Sequence, residues 1–274
     1  MKVAYSGVRG AYADIAAGKI FPDSDRVSCT SFGSAFEAVA NGECEYGVLP
    51  IENSFAGDVA QVTDLLYFGE MFIVGIYEMP IIHHLLGIQG TDLSKIRTVY
   101  SHPQALDQCH DYIKTHGLTP RASSNTAVAA SEISEKNDET IAAIASSETA
   151  EIYGLKVLDK QINEKDDNMT RFVVISRQDE PLISNREAFS MILTVKNEAG
   201  AFAKAVTAIG DNGFNMRVIR SRPIRSLAWR YYFYIEGEGD LSGEGGANMI
   251  KDLKKNCEIV RILGNYHADI VLNC

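Results

Sequence analysis

Short apolar runs alternate with amphipathic stretches along the first two thirds of this chain, and that alternation restricts the fold more than any other feature. Residues 3–5, 27–30 and 46–49 read as strands, and residues 12–19, 34–40 and 58–67 read as helices. Strands and helices in turn predict a layered α/β unit. Residues 72–76 and 80–88 read as two long strands that leave it. A second unit follows, with strands at 98–100 and 141–145 and helices at 103–115, 126–134 and 147–153. Pro103 in the first turn suits the start of the first of these helices. The run 172–175 then reads as a late strand returning to the first unit. Two α/β lobes joined by crossing strands enclose a cleft, and open α/β sheets bind ligands at their strand ends.

The pattern changes after residues 176–186, a polar stretch with Pro181 that reads as a linker. Beyond it the order is strand 189–195, helix 201–209, strand 214–222, strand 229–236, helix 248–255 and strand 259–263. That βαββαβ order predicts a ferredoxin-like unit. Residues 237–246 read as a glycine-rich, flexible loop.

The net charge of −10, from 26 basic and 36 acidic residues, disfavours nucleic acid and anionic membranes as partners. Arg217, Arg220, Arg222 and Arg225 lack the interleaved aromatics of a nucleic-acid surface. An anionic ligand would require a locally positive pocket. Cys29, Cys44, Cys109, Cys257 and Cys274 are scattered and form no paired motif, which fits a reducing cytoplasm. The most apolar window, 71–88, is broken by Glu78, Pro80, His83 and His84, so no membrane span is expected. The chain opens straight into a strand, without a signal-peptide pattern.

Several polar clusters sit where a strand meets a helix: Glu52-Asn53-Ser54, Ser101-His102-Pro103-Gln104, Ser124-Asn125-Thr126 and Ser146-Ser147. Each would make a helix cap, and capping and anion binding use the same geometry. Thr170-Arg171 places a hydroxyl beside a fixed cation at the start of the late strand. Spacing alone leaves these open between structural and functional roles. His83 and His84 are adjacent on a strand and point to opposite faces, so no metal site is expected there.

Five islands, taken together, resemble the prephenate dehydratase family. They are Pro50-Ile51-Glu52-Asn53-Ser54, Ser101-His102-Pro103-Gln104-Ala105-Leu106, Asn125-Thr126-Ala127-Val128-Ala129-Ala130, Tyr153-Gly154-Leu155 and Asn168-Met169-Thr170-Arg171-Phe172. The resemblance implies a periplasmic-binding-protein-like catalytic domain over 1–178, with lobe one at 1–76 plus about 170–178 and lobe two at 77–169. It implies decarboxylative dehydration of prephenate to phenylpyruvate, without metal or cofactor. Thr170 is the catalytic residue it implies. Asn53, Ser54, Gln104, Thr126, Ser146, Arg171 and Phe172 would hold the substrate.

Residues 187–274 resemble an ACT domain, a regulatory unit that binds L-phenylalanine and joins subunits into a homodimer or homotetramer. Its effector residues would be Gly200, Ala201, Phe202, Ser221, Arg222 and Pro223. Two departures stand out. Arg220 occupies the place of the family's glutamate before Ser221, which weakens an effector site for an ammonium group, and restoring Glu there is expected to tighten the phenylalanine response. Ala13 occupies the place of a common serine near the first glycine turn. An arogenate dehydratase and a non-catalytic amino-acid or keto-acid sensor are the alternatives.

Overall fold

In a computed structural model, residues 1–164, 167–268 and 270–273 are described. Lobe one contains β1 (Lys2–Ser6), α1 (Tyr12–Ile20), β2 (Asp25–Cys29), α2 (Phe32–Ala40), β3 (Tyr46–Asn53), β4 (Gly57–Asp58), α3 (Ala60–Phe68) and β5 (Phe72–Pro80). Lobe two contains β6 (His84–Gly87), β7 (Thr98–Ser101), α4 (Pro103–Gln108), α5 (His110–Thr115), β8 (Thr119–Ala122), α6 (Thr126–Lys136), β9 (Ile141–Ala145), α7 (Ser147–Tyr153) and β10 (Lys156–Asp159). β11 (Met169–Ser176) returns to lobe one, as the sequence suggested. The C-terminal unit contains β12 (Ala188–Val195), α8 (Ala201–Asp211), β13 (Asn215–Pro223), β14 (Tyr231–Glu238), α9 (Glu244–Asn256) and β15 (Cys257–Tyr266), after which β16 (Ile270–Val271) joins the sheet of lobe one.

The first sheet has the order β16-β5-β11-β3-β1-β2, with β4 on β3. β11 lies antiparallel between β5 and β3 and is buried from Phe172 to Ser176. A strand covered on both faces reads as a continuous apolar run, and this one does. Its side chains alternate between two cores. Phe172 and Val174 join Val3, Tyr5 and α1, whereas Val173 and Ile175 join α2, α3 and residues of the C-terminal sheet. The second sheet has the order β10-β6-β9-β7-β8.

The C-terminal sheet has the order β13-β14-β12-β15, the ferredoxin-like arrangement. Its two helices cover one face, around Leu193, Ile235 and Met249. The other face packs on lobe one through Ile192, Tyr232, Tyr234 and Leu263. Gly264 is required there, because a Cβ at that position would lie 1.9 Å from the Ile73 carbonyl oxygen.

Several elements differ from the sequence reading. β5 runs on to Pro80 within the first sheet, and only the short β6 belongs to lobe two. The helix expected over 103–115 breaks at Cys109, whose N–H bonds back to Leu106 O. The expected loop at 237–246 shortens, because α9 begins at Glu244. Trp229 lies before β14 rather than inside it, at φ 59 and 80% exposed. Cys29, Cys44, Cys109 and Cys257 are free thiols, and Cys274 lies outside the described residues. No described helix is long and apolar enough to cross a membrane.

Candidate active site

β3 and β11 end side by side, with Asn53 opposite Thr170 and Glu52 opposite Arg171. Residues opposite each other across a ladder share a face, and neighbours along a strand alternate. Thr170, Phe172 and Asn53 therefore face a cavity of about 310 Å³ between the lobes. Lobe two closes it with His83, His102, Gln104, Gln108, Asn125 and Thr126. Phe32, Pro50, Val59, Ile81 and Ala13 add apolar wall. The alanine in place of a serine thus removes a hydroxyl from the lining itself.

The Asn53 amide is oriented without ambiguity. Its Oδ1 accepts from the N–H groups of Phe55 (3.1 Å) and Ala56 (2.9 Å) and from Gln104 Nε2 (3.1 Å). Its Nδ2 must then donate, and it lies 2.9 Å from Thr170 Oγ1, 2.8 Å from Asn168 Oδ1 and 3.0 Å from Met169 O. The Thr170 hydroxyl is thereby an acceptor from Asn53, and its own proton is left for a partner in the cavity.

A second layer fixes the first. Asn168 Nδ2 donates to Gln108 Oε1 at 3.0 Å, and His83 Nε2 lies 2.9 Å from the same oxygen. Since that oxygen only accepts, His83 carries its proton on Nε2 and is neutral. Burial holds its pKa down at about 4 despite the bond to Gln108. The other ring nitrogen, Nδ1, lies 3.1 Å from the Tyr12 hydroxyl, whose single proton is shared between that nitrogen and Ile82 O at 2.8 Å. Gln108 Nε2 is buried without a hydrogen-bond partner among the described residues. Burial also lowers the pKa of His102.

The residues expected at the site do not all meet here. Asn53, Gln104, Thr126, Thr170 and Phe172 line the cavity. Ser54 does not; its hydroxyl donates to Asp167 O and accepts from Met169 N–H, stapling the turn after β3 to the start of β11. Ser146 caps α7 through Thr149 N–H and borders a neighbouring cavity with His84 and Lys160. Arg171 points to the opposite face from Thr170. There it meets Glu52 (3.1 Å), Glu78 (3.6 Å) and Glu236 (2.7 Å), so the substrate role expected of it has no support in this geometry. Sequence reading missed Tyr12 and Gln108 and left His83 as structural; apart from Gln108's place five residues after Pro103, no local signal marks them.

Among the described residues lining the cavity there is no Asp, Glu, Lys or Arg. The positive pocket anticipated for an anion is absent. Its place is taken by neutral donors and by the N-terminus of α6, where Asn125 accepts from Val128 N–H and Thr126 opens the helix.

The effector residues divide as well. Gly200 adopts φ 77 at the head of α8, a left-handed conformation suited to glycine. Phe202 stacks on Phe233 at 3.9 Å beside a cavity of about 160 Å³ with Val195, Trp229 and Tyr231. Ser221 and Pro223 pair with Phe233 and Tyr231 and so share that sheet face. Arg222 faces away, toward lobe one, and grips Asp64 through Nε (3.2 Å) and NH2 (2.9 Å).

A two-lobed α/β domain with a polar, uncharged interlobe site, carrying a ferredoxin-like unit on its back, defines the class of protein. Residues 3–180 match the family model described as prephenate dehydratase, and the chain belongs to that family. It is 36% identical to "Arogenate dehydratase/prephenate dehydratase 2, chloroplastic" of Arabidopsis thaliana, over 99% of this chain and 74% of the relative. The structure of a prephenate dehydratase from Arthrobacter aurescens in complex with L-Phe superposes with a TM-score of 0.89 at 27% identity, covering 97% of this chain and 89% of the other. A protein described as a novel type of quorum quenching acylase superposes with a TM-score of 0.91 at 31% identity, covering 98% of both chains.

Proposed function

We propose that this chain converts prephenate to phenylpyruvate, with Thr170 at the reacting centre. In that reaction the ring carboxylate leaves as CO₂, the electrons of its C–C bond expel the 4-hydroxyl, and one proton completes the departing water as the ring becomes aromatic. The observation that carries the reading is the polarity of the Asn53–Thr170 bond. With its oxygen already occupied by Asn53, Thr170 directs its O–H at the leaving hydroxyl, and a solvent proton replaces the one that completes the departing water. Threonine is a weak acid, so placement and local dipoles supply most of the effect. The uncharged lining also favours the step, because a carboxylate desolvated against Phe172, Ile81 and Val59 gains by becoming neutral CO₂. Gln104, Gln108 and Thr126, with the α6 N-terminus, supply the donors for the carboxylate that stays.

Prephenate is favoured over arogenate on one point. The side-chain amino group of arogenate would require an acidic neighbour, and none lines the cavity among the described residues. Acyl transfer is not favoured, since Thr170 Oγ1 accepts from an amide rather than donating to a base. Control by L-phenylalanine is supported by the cavity lined by Phe202, Trp229 and Tyr231, on whose sheet face Ser221 and Pro223 also lie. A homo-oligomer is supported by the open edge of β13, and a reducing cytoplasm by the free thiols.

The test is turnover of prephenate and of arogenate by the purified chain and by Thr170→Ala. Phenylpyruvate formation that falls about 10²–10³-fold in a folded Thr170→Ala variant is expected. Normal turnover by the variant removes Thr170 from the mechanism. Turnover of arogenate alone reassigns the substrate, and inactivity on both favours a non-catalytic sensor.

A further inference from the structure

Behind the site, the catalytic lobe and the C-terminal sheet exchange charges. Glu52 of β3 meets Arg220 of β13 at 2.7 Å, and Arg171 of β11 meets Glu236 of β14 at 2.7 Å. Arg171 also reaches, at 3.1 Å, the Glu52 oxygen that Arg220 faces as an ion pair without an aligned hydrogen bond. Glu236 is 3% exposed and is fixed from behind by the Tyr234 hydroxyl at 2.8 Å. Arg220, its side chain 9% exposed, lies over the Tyr234 ring, 5.5 Å from its centre. It faces lobe one, as Arg222 does, and not the cavity beside Phe202. The acid-to-base change at this position therefore lies in the junction, away from the cavity beside Phe202.

Each catalytic arm of this cluster sits one residue from the site: Glu52 precedes Asn53, and Arg171 follows Thr170. We propose that Arg220 is a positioning residue for the reaction, which, with Glu236, holds the ends of β3 and β11 in register and so holds the Asn53–Thr170 hydrogen bond. The proposal rests on the dehydratase reading for its kinetic consequence and on geometry alone for its structural one. Glu52 shares one oxygen between two guanidinium groups. When Arg220 is withdrawn, Glu52 follows Arg171 alone and the turn 53–56 loses its tie to the C-terminal sheet. Position 220 thus links that sheet to the catalytic hydroxyl across a few bonds.

The experiment compares the full chain with Arg220→Met, Arg220→Lys and Glu236→Gln, measuring segment-resolved amide exchange and prephenate kinetics. In Arg220→Met, exchange is expected to rise at residues 53–56 and 168–171 while the rest of lobe one is unchanged. With it, kcat falls about tenfold and KM stays within about twofold, the mark of lost orientation rather than lost binding. Arg220→Lys, which keeps the charge, should restore both readings to within about threefold. Glu236→Gln provides the second test if Arg220→Met does not fold. Unchanged exchange in the two segments overturns the proposal, as does exchange that rises evenly across the lobe, or a local rise with unchanged kcat. Should the wild-type chain turn over neither substrate, the dehydratase reading fails, and the exchange comparison alone decides the role of Arg220.

Discussion

Asn53 is the residue on which the site turns. Three donors hold its oxygen, so its nitrogen is committed to Thr170 and Asn168. Asn53→Ala should leave the sheet intact and lower kcat about 10²-fold, because the Thr170 proton then loses its assigned direction. Steady-state kinetics with a thermal melt checks this, and a full loss of Tm without a change in kcat per folded molecule would refute it. His83 makes a prediction in pH. Its folded pKa, about 4, lies below the ordinary 6.5, so the unfolded chain binds more protons between these values. The stabilisation is whole above pH 6.5 and is lost as pH falls toward 4, by ~3 kcal/mol at about 1.4 kcal/mol per unit. His83→Gln should flatten that part of the stability–pH curve, measured by denaturant unfolding at each pH. A variant with the wild-type slope would place the titration elsewhere. At this scale the sequence was half legible. Thr170 and Phe172 face the cavity by strand alternation, and the same alternation turns Arg171 away, whereas His83 lies just before β6 and outside any strand. The partners of Gln108 and Arg220 come from distant segments, and no local pattern encodes them.

Among the elements, α3 is the platform on which the C-terminal sheet rests. Asp64 receives Arg222 through two nitrogens, Arg225 at 3.2 Å and the Tyr232 hydroxyl at 2.6 Å, and Tyr67 stacks on Tyr232 at 4.2 Å. Burial opposes the Asp64 charge, but Arg222 and Tyr232 hold its carboxyl below the ordinary value. Asp64→Ala strands a buried phenol and leaves Arg222 without its acid, and should cost about 2–3 kcal/mol in denaturant unfolding. A loss under ~0.5 kcal/mol would show that the contact contributes little. Legibility here followed apolar content. The strongly patterned strands and helices were found within a few residues. β8 (Thr119–Ala122) is exposed at every residue, and β10 (Lys156–Asp159) is nowhere fully buried. Neither carries the alternation that marks a strand, because each lies at a sheet edge. β16 was missed because its two residues pair with β5, far back in the chain.

For the whole molecule, the lobes are tied across the cleft by a few polar contacts. These include Gln104 to Asn53, Thr149 Oγ1 to Gly10 O, Tyr12 to Ile82 O, the Tyr153 hydroxyl to Arg9 O and the Lys19–Glu148 ion pair. The C-terminal sheet, by contrast, shares a continuous apolar core with lobe one. The free side of β13 is then the place where a second copy can act on the first. Among the described residues it is an edge strand of its sheet, with Ile219 46% exposed, and Leu227, Trp229 and Tyr231 stand exposed in and after the loop that follows it. An edge of this kind pairs with another strand unless charge blocks it. We expect the chain to sediment as a dimer or tetramer and Ile219→Lys to sediment as a smaller species. Phenylalanine inhibition should weaken in the same variant, because Ser221 and Pro223 lie on the same edge strand as the lost interface. Basal turnover should survive, since Ile219 touches neither the cavity nor the charged junction. Sedimentation of Ile219→Lys at the wild-type rate would move the interface off this edge, and inhibition at full strength in a smaller species would show that the effector site is complete within one chain.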